Sequence, residues 1–311
     1  MDTLRFDDRV AIVTGAGRGI GRAHAELLAA RGAKVVVNDV GGAMAGGGAD
    51  TAPAAETVEA IRAAGGVAQA DASDISTPRG ADLLVRQTVD AFGRVDILVN
   101  NAGIYTVDAF PDLDLAELQR HFAVHVGGSF NVTRACWPHM VAAGYGRIVM
   151  TSSTGALGSS SLTAYGSAKA GVIGLGRALA MAGDALGIRV NVVAPMAMTR
   201  MMDAGRGDRG EPPRNPARDP ALVSPLVAVL SHESCPSTGE MYLSGMRRYA
   251  RIFLAETEGY VHPDLDVTME DITANWAAIE DLSQQHVVRD TMSWSAGNEE
   301  RIARRPLSGD A

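Results

Sequence analysis

Short apolar runs alternate with longer segments of helical periodicity through about residue 200. The short runs RVAIVTG, AKVVVND, VDILVNNAG, GRIVMTSS and IRVNVVAP are rich in valine, isoleucine and alanine, and they match buried strands. The longer segments GIGRAHAELLAARG and ETVEAIRAAGG match helices. Such alternation is typical of a parallel sheet covered by helices on both faces. The pattern therefore predicts an α/β protein with a doubly wound sheet of six or seven parallel strands.

Two segments and the C-terminal part of the chain do not follow this alternation of strands and helices. Residues 41–50 are rich in glycine and residues 206–220 in arginine, proline and glycine, so both are predicted to be mobile surface loops. The last part ends in the polar stretch GNEERIARRPLSGDA. We expect a catalytic domain over residues 1–250 and a C-terminal helical extension with a frayed tail over residues 251–311.

Composition narrows the class of protein. The chain has 311 residues, 46% of them hydrophobic, and a net charge of −8, which argues against a nucleic-acid partner. No apolar run reaches about 18 residues and the N-terminus is acidic, so neither a membrane span nor a signal peptide is predicted and a cytoplasmic location is expected. Cys136 and Cys235 form no metal-binding pattern and are predicted to be idle or buried thiols; no metal is expected.

The first chemical motif is TGAGRGIG, residues 14–21, between a predicted strand and a predicted helix. Glycines at such a turn let backbone N–H groups of the helix N-terminus approach a pyrophosphate. A tight connection without any ligand explains an isolated turn about equally well. The next strand, however, ends in Asp39, close to the ~20-residue offset of a ribose-binding acid. A carboxylate there would accept hydrogen bonds from the ribose of NAD and repel the extra phosphate of NADP, so NAD is the predicted cofactor.

The second motif is YGSAK, in which Tyr165 and Lys169 lie four residues apart on one predicted helix face. A nearby cation favours phenolate and would lower the tyrosine pKa, which suits a general acid/base near neutral pH. The preceding MTSS offers a serine hydroxyl to hold the reacting oxygen. An isolated Tyr/Lys pair at this spacing is more often only a feature of the protein surface.

Together with NNAG and NVVAP, these motifs resemble the short-chain dehydrogenase/reductase family over about residues 9–244. The resemblance implies a Rossmann-type fold and the catalytic roles of acid/base for Tyr165, of its partner and ribose anchor for Lys169, and of substrate positioning for Ser153. The loop from Ser153 to Tyr165 is one residue shorter than is usual in the family, which leaves Ser152 as an alternative. The implied cofactor contacts are Gly15, Arg18, Gly19, Ile20 and Gly21 at the pyrophosphate turn, Asp39 at the adenosine ribose, Asp74 and Ile75 at the adenine, Asn101, Ala102 and Gly103 along the cofactor, and Pro195 and Thr199 near the nicotinamide.

His125 stands where most of the family has an asparagine that holds a water linked to the active-site lysine. We predict that His125 relays the proton outward, with a purely structural core histidine as the alternative. This histidine, together with VVVNDVGG, HVGGSFNVTRACWPHM and TMEDITANWAAI, resembles the branch that contains the hydroxyacyl-CoA dehydrogenase part of peroxisomal multifunctional beta-oxidation enzymes and its bacterial stand-alone relatives.

The resemblance implies oxidation of a secondary alcohol, with a (3R)-hydroxyacyl-CoA, including a steroid side-chain thioester, as the expected substrate. A free hydroxysteroid or other alcohol is the runner-up, and a catalytically silent cofactor-binding scaffold is the remote alternative. A substrate lid over about residues 196–230 and assembly as a homodimer or homotetramer are further expectations. The methionines of PMAMTRMM fit an apolar substrate pocket or ordinary core packing nearly equally well.

Overall fold

The computed structural model describes residues 3–43, 45–197 and 215–305. The chain forms two compact units, Met1–Arg251 and Ile252–Ala311. The catalytic and accessory roles expected for the two parts of the chain stay predictions.

Eight strands form the main sheet, and the first seven are parallel, which confirms the predicted doubly wound α/β class. Their order is β3-β2-β1-β4-β5-β6-β7-β8. Between β1 and β4 the strand order changes direction, which in open α/β sheets opens a ligand crevice at the carboxyl ends of the strands. The strands are β1 (Val10–Thr14), β2 (Lys34–Asn38), β3 (Val67–Asp71), β4 (Ile97–Asn100), β5 (Gly146–Thr151), β6 (Ile188–Met196), β7 (Met241–Gly245) and β8 (Arg248–Ile252).

Seven described helices accompany this sheet. Thr77 and Asp114 accept backbone N–H bonds at the start of α3 and α4, so local capping fixes where these two helices begin. A π-helical turn, Ala123–Gly128, joins α4 to α5. The helices are α1 (Gly19–Ala30), α2 (Ala52–Ala63), α3 (Pro78–Phe92), α4 (Leu115–Phe122), α5 (Ser129–Ala143), α6 (Thr163–Gly183) and α7 (Ser224–Ser231). None of the helices in the described ranges is long and apolar enough to cross a bilayer.

The core lies on both faces of the central strands. Every residue of β1, β4 and β5 is buried, which is why these segments read as continuous apolar runs. Both cysteines are buried, as predicted. The packed strands hold the chain segments that leave their carboxyl ends in fixed positions, and the candidate site is built from those segments.

The second unit contains strands as well as helices, so the prediction of a helical extension is incomplete. An antiparallel pair, β9 (Ala255–Thr257) and β10 (Gln285–Val287), accompanies the helices α8 (Met269–Ala274), α9 (Trp276–Ile279) and α10 (Thr291–Ala303). Strands of three residues are too short to show a two-residue periodicity, which explains the omission. Between residues 252 and 305, no residue is buried.

Candidate active site

The carboxyl ends of the central strands open into a cavity of about 1180 Å³. Every predicted site residue that the structure describes, from Gly15 to Pro195, contributes to its lining. Thr199 and residues 198–214 of the predicted lid lie outside the described residues. The structure thus brings the cofactor motifs and the YGSAK motif together in one place.

The glycine turn after β1 has the form of an anion cradle. Gly15 and Gly19 have φ of 63° and 57°, a conformation that favours glycine, and a Cβ on Gly21 would lie 2.3 Å from the carbonyl oxygen of Gly15. No described side chain caps the start of α1, and none of residues 19–22 is acidic. The first N–H groups of α1 are therefore left to bind an anion, which fits the pyrophosphate of a dinucleotide.

Asp39 is fixed beside this turn at the end of β2. Its Oδ2 accepts a hydrogen bond of 2.8 Å from the backbone N–H of Gly17, and its Oδ1 accepts one of 2.7 Å from that of Gly41. A carboxylate oxygen can accept more than one hydrogen bond, so both oxygens retain acceptor capacity toward the cavity. This geometry fits a ribose with two free hydroxyl groups.

Tyr165 and Lys169 project from α6 into the same cavity. The Lys169 ammonium donates a 2.7 Å hydrogen bond to the carbonyl oxygen of Thr151, and its burial lowers its pKa to about 7. Burial raises the pKa of Tyr165, and its hydrogen bond with Ser153 offsets only part of that shift. The direction is opposite to the one expected from the lysine charge. The reason is that desolvation, which disfavours the charged form, is the largest influence on the pKa of each group.

The two candidate serines have different surroundings. Ser152 is buried and its hydroxyl donates a 2.8 Å hydrogen bond to the carbonyl oxygen of Lys169, so it braces α6. The Ser153 hydroxyl accepts a hydrogen bond from the N–H of Gly155, and Ser153 lines the cavity together with Tyr165. The geometry therefore favours Ser153 as the residue that faces a substrate oxygen, although the loop is short.

His125 lies in the π-helical turn with 1% of its surface exposed. Its Nε2 is 3.0 Å from the carbonyl oxygen of Ile104; because a carbonyl only accepts, Nε2 carries the proton. Nδ1 is then an unprotonated acceptor, and it has no hydrogen-bond partner among the described residues. The ring packs edge-on against Tyr165, with the centroids 5.5 Å apart. Burial, followed by the Lys169 charge, holds the His125 pKa well below its usual range.

A second histidine belongs to the same site and was not anticipated from the sequence. His121, fully buried, stacks on His125 with ring centroids 5.5 Å apart and meets the edge of Tyr165. Its Nε2 lies 2.8 Å from the Thr106 hydroxyl and 3.2 Å from Glu117. The spacing His121-x-x-x-His125 on one helix face was the available signal.

Behind His121 lies a polar cluster of Thr106, Asp108 and Glu117. The Thr106 hydroxyl is within hydrogen-bond distance of both carboxylates, and Arg120 forms an ion pair with Glu117. One carboxylate oxygen from each acid and a ring nitrogen of His121 lie within 4.8 Å of one another. Thr106 and Glu117 thus hold Nε2 of His121, whereas its Nδ1 has no hydrogen-bond partner among the described residues.

The glycine-rich loop of residues 41–50 is part of the cavity wall and not only a surface loop. Gly42, Ala43 and residues 46–49 line the cavity, and Arg120 donates a hydrogen bond to the carbonyl oxygen of Ala45. Its role could not be read from composition, because the residue that holds it, Arg120, is distant in the sequence.

A doubly wound sheet, a glycine turn at its crevice and a Ser–Tyr–Lys set in the same cavity together define a nucleotide-dependent oxidoreductase that acts on CH–OH groups. The chain belongs to the short-chain dehydrogenase family, whose family model matches residues 9–209. This confirms the family predicted from the motifs.

Known relatives place the chain near the predicted branch. The peroxisomal multifunctional enzyme type 2 of Drosophila melanogaster is 41% identical over 285 residues, 90% of this chain and 46% of that enzyme. Its full-length structure matches with a TM-score of 0.77 and 32% identity, covering 97% of this chain and 50% of that one. The chain thus spans about half the length of this relative.

Two further matches differ in their named substrates. The (2S)-[(R)-hydroxy(phenyl)methyl]succinyl-CoA dehydrogenase subunit BbsD of Thauera aromatica is 41% identical over 192 residues, 62% of this chain and 74% of that one. A 7α-hydroxysteroid dehydrogenase, solved with NADH and 7-oxo glycochenodeoxycholic acid, matches with a TM-score of 0.69 and 29% identity. That match covers 78% of this chain and 96% of the other.

Proposed function

We propose that this protein is an NAD-dependent dehydrogenase that oxidises the hydroxyl group of a (3R)-hydroxyacyl-CoA to a ketone. The observation that carries the proposal is that Ser153, Tyr165 and Lys169 line the same cavity, which begins at the glycine turn. A thioester substrate is supported by the resemblance to the multifunctional enzymes and by the name of the Thauera relative.

In this proposal the substrate hydroxyl is held by Ser153 and Tyr165, and Tyr165 accepts its proton. A nicotinamide dinucleotide held by the glycine turn and Asp39 would supply the acceptor for the hydride that leaves the carbinol carbon. The raised pKa of Tyr165 keeps the free protein in the phenol form at neutral pH, so oxidation should become faster as the pH rises. His125 acts through Nδ1, because its Nε2–H is engaged with Ile104. In this proposal His125 holds a water near Lys169, and no proton passes through the imidazole ring.

The cofactor preference for NAD rests on Asp39 and stays part of the proposal. A cytoplasmic location and a homodimeric or homotetrameric assembly also stay predictions from the sequence. Neither is needed for the chemistry described above.

The deciding experiment compares substrates at fixed NAD while NADH absorbance is followed. The panel contains (3R)-hydroxyacyl-CoA thioesters of several chain lengths, the (3S) epimers, the free hydroxy acids and free hydroxysteroids. If coenzyme A supplies remote binding energy, the (3R) thioesters should exceed the free acids in kcat as well as in kcat/KM.

A free hydroxysteroid is the second candidate, and the structural match to the 7α-hydroxysteroid dehydrogenase favours it. A steroid that reacts faster than every thioester would replace the first proposal by this one. Absence of turnover with the entire panel, in a protein that still binds NADH, would instead support a silent cofactor-binding scaffold.

A further inference from the structure

The described lining of the cavity is more positive than the rest of the protein. Arg18, Arg120, Lys169 and Arg218 line it, against the two carboxylates Asp39 and Asp74. The whole chain, in contrast, carries a net charge of −8. An excess of cations inside a cavity of an acidic protein favours an anionic ligand.

Three of these four cations already have partners. Arg18 lies 3.8 Å from Asp50, Arg120 forms an ion pair with Glu117, and Lys169 donates to a backbone carbonyl. The Arg218 guanidinium, half-buried, has no ion pair or hydrogen bond with any residue in the described ranges. Among the cations of the described cavity wall, it is therefore the one with no protein partner that competes with a ligand.

Local structure fixes the backbone at Arg218. It ends the 3₁₀ turn Pro216–Arg218, whose start is capped by Asn215. The next residue, Asp219, directs its carboxylate to the N–H of Ala221 and does not line the cavity. The acidic residue that follows Arg218 in the sequence thus does not neutralise it at the cavity.

The segment that follows Arg218 packs along α1. His24 Nδ1 lies 2.8 Å from the Ser224 hydroxyl, and the 3₁₀ turn Pro220–Leu222 contacts the same helix. Arg218 in turn shares the cavity with Gly19 and Ile20, the first residues of α1. A free guanidinium and the N–H groups of a helix N-terminus thus line one cavity, and both bind phosphate oxygens.

We propose that Arg218 is a phosphate-binding residue that holds a diphosphate group in this cavity. The inference rests on the proposed function, which offers two sources of that group: the dinucleotide cofactor and the coenzyme A part of the thioester. Both carry a diphosphate that a guanidinium can bind through two parallel hydrogen bonds.

The test uses the full-length variant Arg218→Gln, with Arg248→Gln as the matched control. Arg248 is exposed in β8 and does not line the cavity, so its removal changes the net charge equally. One arm measures the Kd for NADH by fluorescence in the absence of substrate. The other arm measures KM, at saturating NAD, for a hydroxyacyl-CoA and for the hydroxyacyl-pantetheine thioester, which has no phosphate.

A cofactor contact predicts that Arg218→Gln raises the Kd for NADH about tenfold, and that Arg218→Lys raises it less. A substrate contact predicts an unchanged Kd for NADH and a KM about tenfold higher for the CoA thioester, but not for the pantetheine thioester. If neither constant changes more than in Arg248→Gln, the proposal is wrong. If the wild-type protein oxidises no thioester, the proposed substrate fails, and the NADH titration then decides the role of Arg218 alone.

Discussion

Lys169 is a lysine whose side chain is buried. The only other lysine in the sequence, Lys34, lies at the start of β2 and is partly exposed. Burial of an ammonium is costly unless it loses its proton, and this cost lowers the Lys169 pKa from 10.5 to about 7. Its hydrogen bond to Thr151 fixes the ammonium at the base of the cavity.

This shift has a defined consequence for stability. The unfolded chain binds the lysine proton up to about pH 10.5, whereas the folded chain releases it near pH 7, so stability should rise with pH between these values. Lys169→Met should therefore unfold at a higher Tm than the wild type at pH 6–7, by an amount worth about 1 kcal/mol or more. The difference should shrink toward pH 10. Lys34→Met is the control, and a difference in Tm independent of pH would contradict the assignment.

His125 differs from an ordinary core histidine because one buried nitrogen has no partner in the described structure. If Nδ1 holds a water near Lys169, His125→Leu should lower kcat about tenfold or more while the Kd for NADH stays unchanged. His125→Asn should retain much of the activity, because an amide can also hold a water. The Leu variant should still fold, because leucine keeps roughly the apolar volume, and loss of the Nε2–H bond to Ile104 should lower the Tm only slightly.

The control for this series is Tyr165→Phe, which removes the proposed acid/base and should abolish turnover. Measurement of kcat beside the Tm separates the two interpretations of His125. Full activity in a folded His125→Leu protein would show that the histidine only fills the core.

Asp39 should set the cofactor preference. Placing the 2′-phosphate of NADP against its carboxylate should favour NAD by roughly a hundredfold in kcat/KM. Arg18 could soften this discrimination, but Asp50 lies 3.8 Å from it and competes for its charge. Asp39→Asn, which keeps the size and removes the charge, should reduce the ratio about tenfold or more. Equal use of both cofactors by the wild type would be incompatible with this role.

At the scale of elements, the π-helical turn between α4 and α5 brings His125 against the loop that leaves β4. Gly103 of that loop has no room for a side chain: a Cβ there would lie 2.4 Å from Cε1 of His125 and 2.9 Å from Nδ1. π-helical turns are rare and often occur at functional sites, and this one packs a histidine against Tyr165, the proposed acid/base. The turn and the loop therefore position the ring jointly.

Gly103→Ala should displace the His125 ring and lower kcat about tenfold, with a loss of about 1–3 kcal/mol in stability. The double variant Gly103→Ala/His125→Asn should behave like His125→Asn alone, since the smaller side chain relieves the clash. Gly174→Ala is the control, because an added Cβ on this exposed residue of α6 meets no atom within 4 Å. Equal losses in the single and double variants would show that the clash is with something other than the ring.

Features that lie within one continuous segment of the chain could be predicted from the sequence. The apolar runs identified the strands because β1, β4 and β5 are buried on both faces, and the glycine turn is local to residues 14–21. Features that depend on contacts between distant segments could not be predicted in this way. His121 is held by Thr106, which belongs to the loop after β4. The glycine-rich loop is held by a hydrogen bond from Arg120 to Ala45, which lies 75 positions away in the sequence. The periodicity of apolar and polar residues carries no information about such contacts.

At the scale of the whole molecule, the buried residues are distributed unequally between the two units. Every buried residue in the described ranges lies at or before Gly245, and the second unit exposes apolar side chains such as Leu265 and Met269. Burial of apolar surface is the main source of folding free energy. The structure of the first unit should therefore depend little on residues beyond β8.

A chain ended after Phe253 should accordingly keep the cooperative unfolding of the full-length protein, with a Tm within a few degrees of it. The glycine turn, Asp39 and Tyr165 all belong to the first unit, so the Kd for NADH should stay within about twofold. Thermal unfolding followed by circular dichroism and an NADH titration measure these two properties. A shortened chain that unfolds without cooperativity would show that the second unit contributes to the core of the first. Normal unfolding with a much weaker NADH affinity would show instead that residues beyond 253 support the cavity itself.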